Sequence, residues 1–202
     1  MQQAIDYLTA KEAVFAEIIK TYGNPTIPRR PQGFATLILL ILEQQVSIDS
    51  AKAAFAKLQS KTQKFVPREL LDLSDEAFRS AGVSRQKTAY IKGLASAVLD
   101  QTLDLESLPS KSAEQVREAL IQLKGIGNWT IDIYLMFSLE SADIFPIGDI
   151  AVVNTMKEFW DFQTRDQMLL HAENWSPYRS YATYLLWHHY LRKRNRTVNY
   201  EW

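Results

Sequence analysis

The sequence predicts an all-α protein, and three observations support this fold class. Apolar residues recur at helical spacing along most of the 202 residues. Serine, proline and glycine residues stand where helices would begin and end. No segment shows four or more residues of apolar and polar alternation between hairpin turns, so nothing indicates a sheet. We expect one compact unit of about ten helices.

The N-terminal helices are predicted from apolar spacing and helix-ending residues. A first helix ends at a glycine and at Pro25. Its apolar residues are Ile5, Leu8, Phe15, Ile18 and Ile19. After three prolines, an apolar helix is predicted over 34–45 and is followed by a polar break. The next helix, over 51–58, has Ser47 or Asp49 as its candidate N-cap.

The later helices are predicted mainly from their caps. Short helices follow Ser74 and Ser84. Ser112 and Gln115 form a capping-box pattern before another apolar helix. Ser176 and the proline after it are expected to start the last helix, with proline at its first position.

Composition excludes several classes of protein. The chain has no cysteine, so it holds no disulfide, thiolate zinc site or iron–sulfur cluster. Its longest apolar run, over 37–42, is too short to span a bilayer. Basic and acidic residues are equal at 23 each, so the net charge does not indicate a polyanionic partner. We expect a cytoplasmic protein with no membrane contact.

The segment LKGIGNWT, over 123–130, predicts a helix-hairpin-helix. Gly125 and Gly127 suit a turn that needs unusual dihedral angles and close backbone approach. Such a turn exposes amide N–H groups at the start of the second helix, where a phosphate can bind. The alternative is an ordinary glycine-terminated helix followed by another helix.

The segment IFPIGDIAV, over 144–152, places an acidic residue at the start of a further helix. Pro146 and Gly148 form a rigid break, and Asp149 precedes the predicted helix over 150–160. Taken alone, Asp149 is an N-cap. In a cleft, the same carboxylate could stabilise positive charge during a reaction.

Four motifs together resemble the helix-hairpin-helix-GPD superfamily of DNA glycosylases. The first two are the hairpin of the form LxGIGxWT and, about twenty residues later, Asp149 after its proline-containing loop. The others are ILEQQVS, over 41–47, and NWSPYRSYATYLLW, over 174–187, which are similar to motifs of the 3-methyladenine DNA glycosylase II branch. Gly148 departs from that branch, in which an acidic residue often precedes the catalytic aspartate.

The resemblance implies an architecture and an activity. The chain would form one glycosylase unit over 1–202 with two helical lobes, the first about 36–128 and the second about 1–35 with 129–202, and with the hairpin beside the active-site cleft. It would flip alkylated purines such as 3-methyladenine and 7-methylguanine out of double-stranded DNA and hydrolyse their N-glycosidic bonds. The expected protein is a monomer, associated with the nucleoid in a bacterium or archaeon, or nuclear in a eukaryote.

Asp149 is the catalytic residue that the resemblance implies. Its carboxylate would stabilise the sugar cation and position or activate the attacking water. The rival carboxylates Asp132, Asp143 and Glu43 are expected to be solvated or to cap helices. Trp129 occupies the position where bifunctional members carry a nucleophilic lysine, so the product would be an intact abasic strand.

Contacts with the flipped base and the duplex follow from the same resemblance. Trp129 and Trp187 would line the base pocket, and the alternative is that both are core residues. Gln45 would fill the vacated stack, with Gln44 and Val46 steadying its loop. The remaining expected DNA contacts are Gly125, Ile126, Gly127, Asn128, Thr130 and Arg179.

No cofactor is expected to be required, although the hairpin could hold a monovalent cation. The backbone carbonyls of Ile121, Leu123 and Ile126 resemble those that hold Na⁺ or K⁺ against a DNA phosphate in such hairpins. The histidines have neither the spacing nor the carboxylate neighbours of a metal site.

Two other functions remain open from the sequence. A non-catalytic helix-hairpin-helix DNA-binding protein would need the hairpin and no carboxylate in a cleft. A superfamily glycosylase for another lesion is the second alternative. The absent lysine and cysteines argue against its oxidised-purine and iron–sulfur branches.

Overall fold

The computed structural model describes residues 1–197, which form α-helices and two short 3-10 helices and contain no strand. The all-α prediction is confirmed. The α-helices are α1 (Gln2–Lys11), α2 (Ala13–Tyr22), α3 (Phe34–Glu43), α4 (Ile48–Gln59), α5 (Pro67–Asp72), α6 (Asp75–Ser80), α7 (Arg85–Leu99), α8 (Ala113–Ile121), α9 (Asn128–Phe137), α10 (Ile150–Trp160), α11 (Arg165–Ala172) and α12 (Arg179–Arg192). The 3-10 helices are Leu108–Ser110 and Glu173–Trp175. No helix in this described part is long and apolar enough to cross a membrane.

The chain divides into two compact units. Unit 2 is the continuous segment Arg30–Tyr134, and unit 1 combines Met1–Arg29 with the chain from Leu135 onward. The boundaries expected from the sequence lay near 36 and 128, a few residues inside those of unit 2. The end of the expected second lobe, residues 198–202, lies outside the described residues.

Unit 2 is built around α3. Its residues from Thr36 to Glu43 are all buried, which explains why the helix is apolar on every side. Helices α4 and α7 pack against it, and α5 and α6 pack against α7. The N-caps predicted at Ser47, Ser74 and Ser84 are confirmed, since each hydroxyl accepts a backbone N–H of its helix.

Unit 1 is organised by α12, which packs against α1, α2 and α10. An aromatic cluster fills its core around Trp175, whose ring contacts those of Phe15, Phe145 and Trp160. Because Trp175 is completely buried, it contributes a large apolar area to this unit.

Two predicted helix boundaries in unit 1 are wrong. The expected first helix is two helices, because Glu12 has an extended backbone and its carboxylate accepts the indole N–H of Trp175. The last helix begins at Arg179 instead of Pro177, because the backbone N–H of Tyr178 closes a turn onto the carbonyl of Trp175.

Candidate active site and DNA-binding elements

The predicted hairpin lies in unit 2, between α8 and α9. Ser112 and Gln115 form the expected capping box at the start of α8. Gly125 adopts φ +93°, and a Cβ atom there would overlap the ring of Tyr90. Glycine is therefore required at 125 for both its backbone conformation and its lack of a side chain.

Gly127 differs from Gly125. Its φ lies outside the left-handed region, and a Cβ atom there would meet nothing within 4 Å. The expectation that both glycines need unusual dihedral angles is therefore wrong for Gly127. The residue is exposed and directly precedes α9. The N–H groups in the first turn of a helix have no partner within that helix.

An ion pair joins the two helices of the hairpin. Arg117, on α8, pairs with Asp132 and also donates to the side-chain oxygen of Asn128 at 3.0 Å. Burial raises the pKa of Asp132, and the hydrogen bond and charge of Arg117 oppose that rise. Asp132 is thus buried and paired, and the expectation of a solvated or capping carboxylate is wrong.

The side-chain amide of Gln44 ties the loop after α3 to the hairpin. Its Nε2 donates to the carbonyl of Gly125 at 2.8 Å and to the hydroxyl of Thr130 at 3.0 Å. All three residues belong to unit 2. Gln44 therefore steadies its loop, the role expected from the sequence, and a direct contact of Gln44 with DNA stays a prediction.

Gln45 follows in the same loop and is exposed. Its φ of 59° is left-handed, a conformation that costs a residue with a Cβ atom roughly 1–2 kcal/mol. Val46, next to it, is 48% exposed. The loop thus presents two outward side chains between helices whose ends are fixed.

Glu43, the last residue of α3, was expected to be a solvated or capping carboxylate, and this is wrong. It is buried and makes two hydrogen bonds to the guanidinium of Arg30, at 2.7 and 2.8 Å. Because two opposite charges are buried together with matched geometry, the pair fixes the end of α3.

Asp149, in unit 1, is the N-cap of α10. Its Oδ1 accepts the backbone N–H groups of Ala151 and Val152 at 2.9 and 3.2 Å. The indole Nε1–H of Trp187 donates to the same oxygen at 3.0 Å. Three donors from two helices therefore hold this carboxylate in one orientation.

Trp187 is held in turn by its neighbours. It is 8% exposed, and its ring lies edge-on to that of Phe137 and also contacts that of Tyr184. The same side chain borders a cavity of about 180 Å³ within unit 1, together with Pro25, Pro28 and other residues of that unit. Trp187 is thus both a packed residue and part of a cavity wall.

Residues 38–179 match the family model of the HhH-GPD superfamily of base excision DNA repair proteins. HhH denotes the helix-hairpin-helix described above. The chain belongs to this superfamily.

Several proteins of this kind are similar to most of the chain. DNA-3-methyladenine glycosylase 1 of Schizosaccharomyces pombe is 28% identical over 90% of this chain and 84% of its own. The crystal structure of DNA-3-methyladenine glycosidase from Bacillus halodurans has a TM-score of 0.81 and 29% identity, covering 95% of this chain and 91% of that one. The S. pombe 3-methyladenine DNA glycosylase in complex with abasic DNA has a TM-score of 0.83 and 28% identity, covering 92% and 95%.

Arg179, at the last matched position of the superfamily domain, has an internal partner. Its Nε and Nη2 donate to the two carboxylate oxygens of Asp143 at 2.8 and 2.9 Å. Asp143 also accepts the backbone N–H of Arg179 and the hydroxyl of Ser176. Asp143 therefore pairs with Arg179 and accepts the first N–H of α12 from outside that helix, whose N-cap residue is Tyr178. A DNA contact by Arg179 stays a prediction.

Trp129 is the second residue of α9 and is half-buried. Within the superfamily domain of this chain it stands where the resemblance places the lysine of bifunctional members. Of the carbonyls expected to hold a cation, that of Ile121 belongs to the last residue of α8. Those of Leu123 and Ile126 lie in the turn before α9, where Leu123 accepts the N–H of Ile126 at 3.0 Å. Among the described residues, no cluster of three or more histidine or acidic side chains could hold a metal.

Lys87 and Tyr90 are among the interacting residues that sequence reasoning missed. Lys87 donates to two backbone carbonyls at the end of α3, and Tyr90 packs over Gly125. A cation in the first turn of a helix opposes the helix dipole. That unfavourable position was the only sequence signal that Lys87 interacts with an element other than its own helix.

Proposed function

We propose that the chain is a monofunctional DNA glycosylase of base excision repair that releases alkylated purines, such as 3-methyladenine and 7-methylguanine, from double-stranded DNA. The observation that carries this proposal is the carboxylate of Asp149, held by three donors on a chain of the HhH-GPD superfamily. A non-catalytic DNA-binding protein has no need of a carboxylate held in this way.

The proposed reaction breaks the bond between C1′ of the deoxyribose and the purine nitrogen. Positive charge develops on the sugar as the base leaves with the bonding electrons. The Asp149 carboxylate stabilises that charge and accepts a proton from the water that forms the new C1′–oxygen bond. An oriented carboxylate is effective here because it needs no rearrangement as the charge appears.

DNA recognition is proposed to use the hairpin and the loop after α3. The N–H groups following Gly127 bind phosphate, and the exposed Gln45 fills the stack from which the base has left. Trp187, in the same unit as Asp149, is proposed to contact the flipped base with its aromatic ring. A base contact by Trp129 is a separate part of this proposal. Methylated purines that carry positive charge are attracted to aromatic faces.

The protein is proposed to act as a monomer that requires no organic cofactor. The carbonyls of Ile121, Leu123 and Ile126 would hold Na⁺ or K⁺ at the hairpin. When bound, the ion would supply a positive charge toward a DNA phosphate. A dependence of DNA affinity on the identity of the monovalent cation at constant ionic strength would support this site.

The deciding experiment uses duplexes that carry one defined lesion each. We expect release of free 3-methyladenine and 7-methylguanine before any strand cleavage, and strand cleavage only after alkali treatment. Binding without release of any base would favour the non-catalytic protein. Release of oxidised or mismatched bases in place of alkylated ones would favour a different substrate class of the superfamily.

A further inference from the structure

Lys87 lies in the first turn of α7, yet its ammonium group contacts a different element. Nζ donates to the carbonyl of Leu42 at 2.7 Å and to that of Gln44 at 2.8 Å. The side chain is half-buried, and this burial lowers the pKa of Lys87. The ammonium thus spans the end of α3 and the first loop residue after it.

The position of the Lys87 ammonium is explained electrostatically by the end of α3 and not by its own helix, α7. A positive charge at a helix N-terminus is unfavourable, whereas one at a helix C-terminus is favourable. Lys87 is at the N-terminus of its own helix and at the C-terminal carbonyls of α3. Its interaction with α3 therefore offsets a cost within α7.

The two carbonyls that accept from Lys87 belong to residues just before Gln45 in the chain. The carbonyl of Gln44 belongs to the peptide bond that leads into Gln45, and the Gln44 side chain is bonded to Gly125 and Thr130. Beyond Gln45, Ser47 caps α4 by accepting the N–H of Ser50. Gln45 is thus the left-handed, exposed residue between two anchored ends.

We propose that Lys87 is a positioning residue for base extrusion, because it fixes the backbone from which Gln45 projects. Gln44 completes the arrangement by tying that backbone to the hairpin. Lys87 acts through Gln45 and makes no contact with the reacting atoms. This inference rests on the proposed function, and specifically on Gln45 entering the vacated stack.

The test compares Lys87→Met with Lys92→Met. Lys92 is on the same helix, and its ammonium pairs with the exposed carboxylate of Asp75, so it is a matched control. Excision is measured on a lesion in a stable pair and on the same lesion in a mismatch, where the base is already partly unstacked. We expect Lys87→Met to lose about tenfold or more on the paired lesion and much less on the mismatched one, since small misplacements cost large factors in rate. Lys92→Met should match the unsubstituted protein on both.

A second comparison places Lys87→Met in a Gln45→Ala background. If Lys87 acts through Gln45, its substitution should cause no further loss once that side chain is removed. Equal losses on paired and mismatched lesions, or an undiminished loss in the Gln45→Ala background, would overturn the inference. If Lys87→Met does not fold, Lys87→Arg and Gln44→Leu replace it, and the ratio of paired to mismatched excision decides in the same way. Absence of base release by the unsubstituted protein would instead overturn the proposed function and this inference with it.

Discussion

The indole N–H of Trp187 and the carboxylate of Asp149 are joined by a hydrogen bond of 3.0 Å between α12 and the start of α10. Trp187→Phe would remove this donor and keep an aromatic ring. Since a hydrogen bond to a charged group is worth about 1.5–3 kcal/mol, we expect kcat to fall about tenfold or more. Single-turnover excision measures the effect.

The control for that variant is Trp160→Phe. Trp160 lies in the same unit, and its ring packs against those of Phe15 and Trp175. If both variants lose activity and stability together, the indole of Trp187 serves packing and does not orient Asp149.

Asp149→Asn should abolish base release and leave the affinity for lesion-containing DNA largely unchanged. The amide keeps the shape of the side chain and loses its charge, so we expect the rate of base release to fall by at least about 100-fold. Asp161→Asn is the matched control, because Asp161 ends the same helix at φ 52°, a conformation that asparagine adopts readily. Near-normal turnover by Asp149→Asn would contradict the proposed mechanism.

The product should be an intact strand with an abasic site. Trp129 offers no amine that could form a Schiff base with the sugar. Borohydride treatment of the reaction should therefore trap no covalent protein–DNA adduct, while a bifunctional glycosylase included as a positive control does form one. Adduct formation at the level of that control would show that another amine of the chain reaches the sugar.

Alanine substitutions at the two hairpin glycines should have different effects. Gly125→Ala places a methyl group in the ring of Tyr90 and strains the backbone. We therefore expect this substitution to lower the free energy of unfolding by about 1–3 kcal/mol. Gly127→Ala meets no protein atom and should leave stability unchanged. It should nevertheless weaken binding to damaged and undamaged DNA alike, because the added methyl group stands where phosphate would approach.

Urea unfolding and salt-dependent binding separate these two outcomes. Equal destabilisation by the two substitutions would mean that both glycines serve the turn itself. Unchanged DNA affinity for Gly127→Ala would show that phosphate does not approach this position.

Much of this structure could be predicted from local sequence. Helix periodicity and the caps at Ser84 and Ser112 depend on residues within one turn, and the hairpin glycines lie in the short segment between the two helices they join. The break at Glu12 could not be predicted, because it depends on Trp175, far along the chain. The interaction of Lys87 could not be predicted for the same reason, because its carbonyl partners lie more than forty residues earlier.

The candidate site shows the same division. The position of Asp149 after a proline-containing loop marks it as an N-cap, and the structure confirms this role. Its third donor, Trp187, comes from another helix, and pairing between them has no local signature. For the same reason, the burial of Glu43 and Asp132 against arginines could not be read from their neighbours in sequence.

The pair between Asp143 and Arg179 should make stability depend on pH. Burial raises the pKa of Asp143, but hydrogen bonds from Arg179 and Ser176 and the guanidinium charge outweigh it, so the folded pKa is below the usual value. The stabilisation is therefore present above the unfolded pKa of about 3.9 and is lost as the pH falls through the folded pKa.

Asp143→Asn should lower the free energy of unfolding at neutral pH, by about 1 kcal/mol or less because the pair is partly exposed. The difference from the unsubstituted protein should shrink in acid. Urea unfolding at neutral and acid pH measures it, with Asp166→Asn, an exposed position, as the control. A difference that stays constant between the two conditions would mean that the charge of Asp143 does not stabilise the fold.

The order of the two units along the chain has a consequence for biosynthesis. Unit 2 is one continuous segment, so a growing polypeptide holds all of it once Tyr134 has been added. Unit 1 is formed by two separate segments of the chain, and α1 and α2 can pack against α12 only after α12 has been synthesised. Since units fold as their residues leave the ribosome, the hairpin forms early. Asp149 gains its indole partner only after Trp187 has been added.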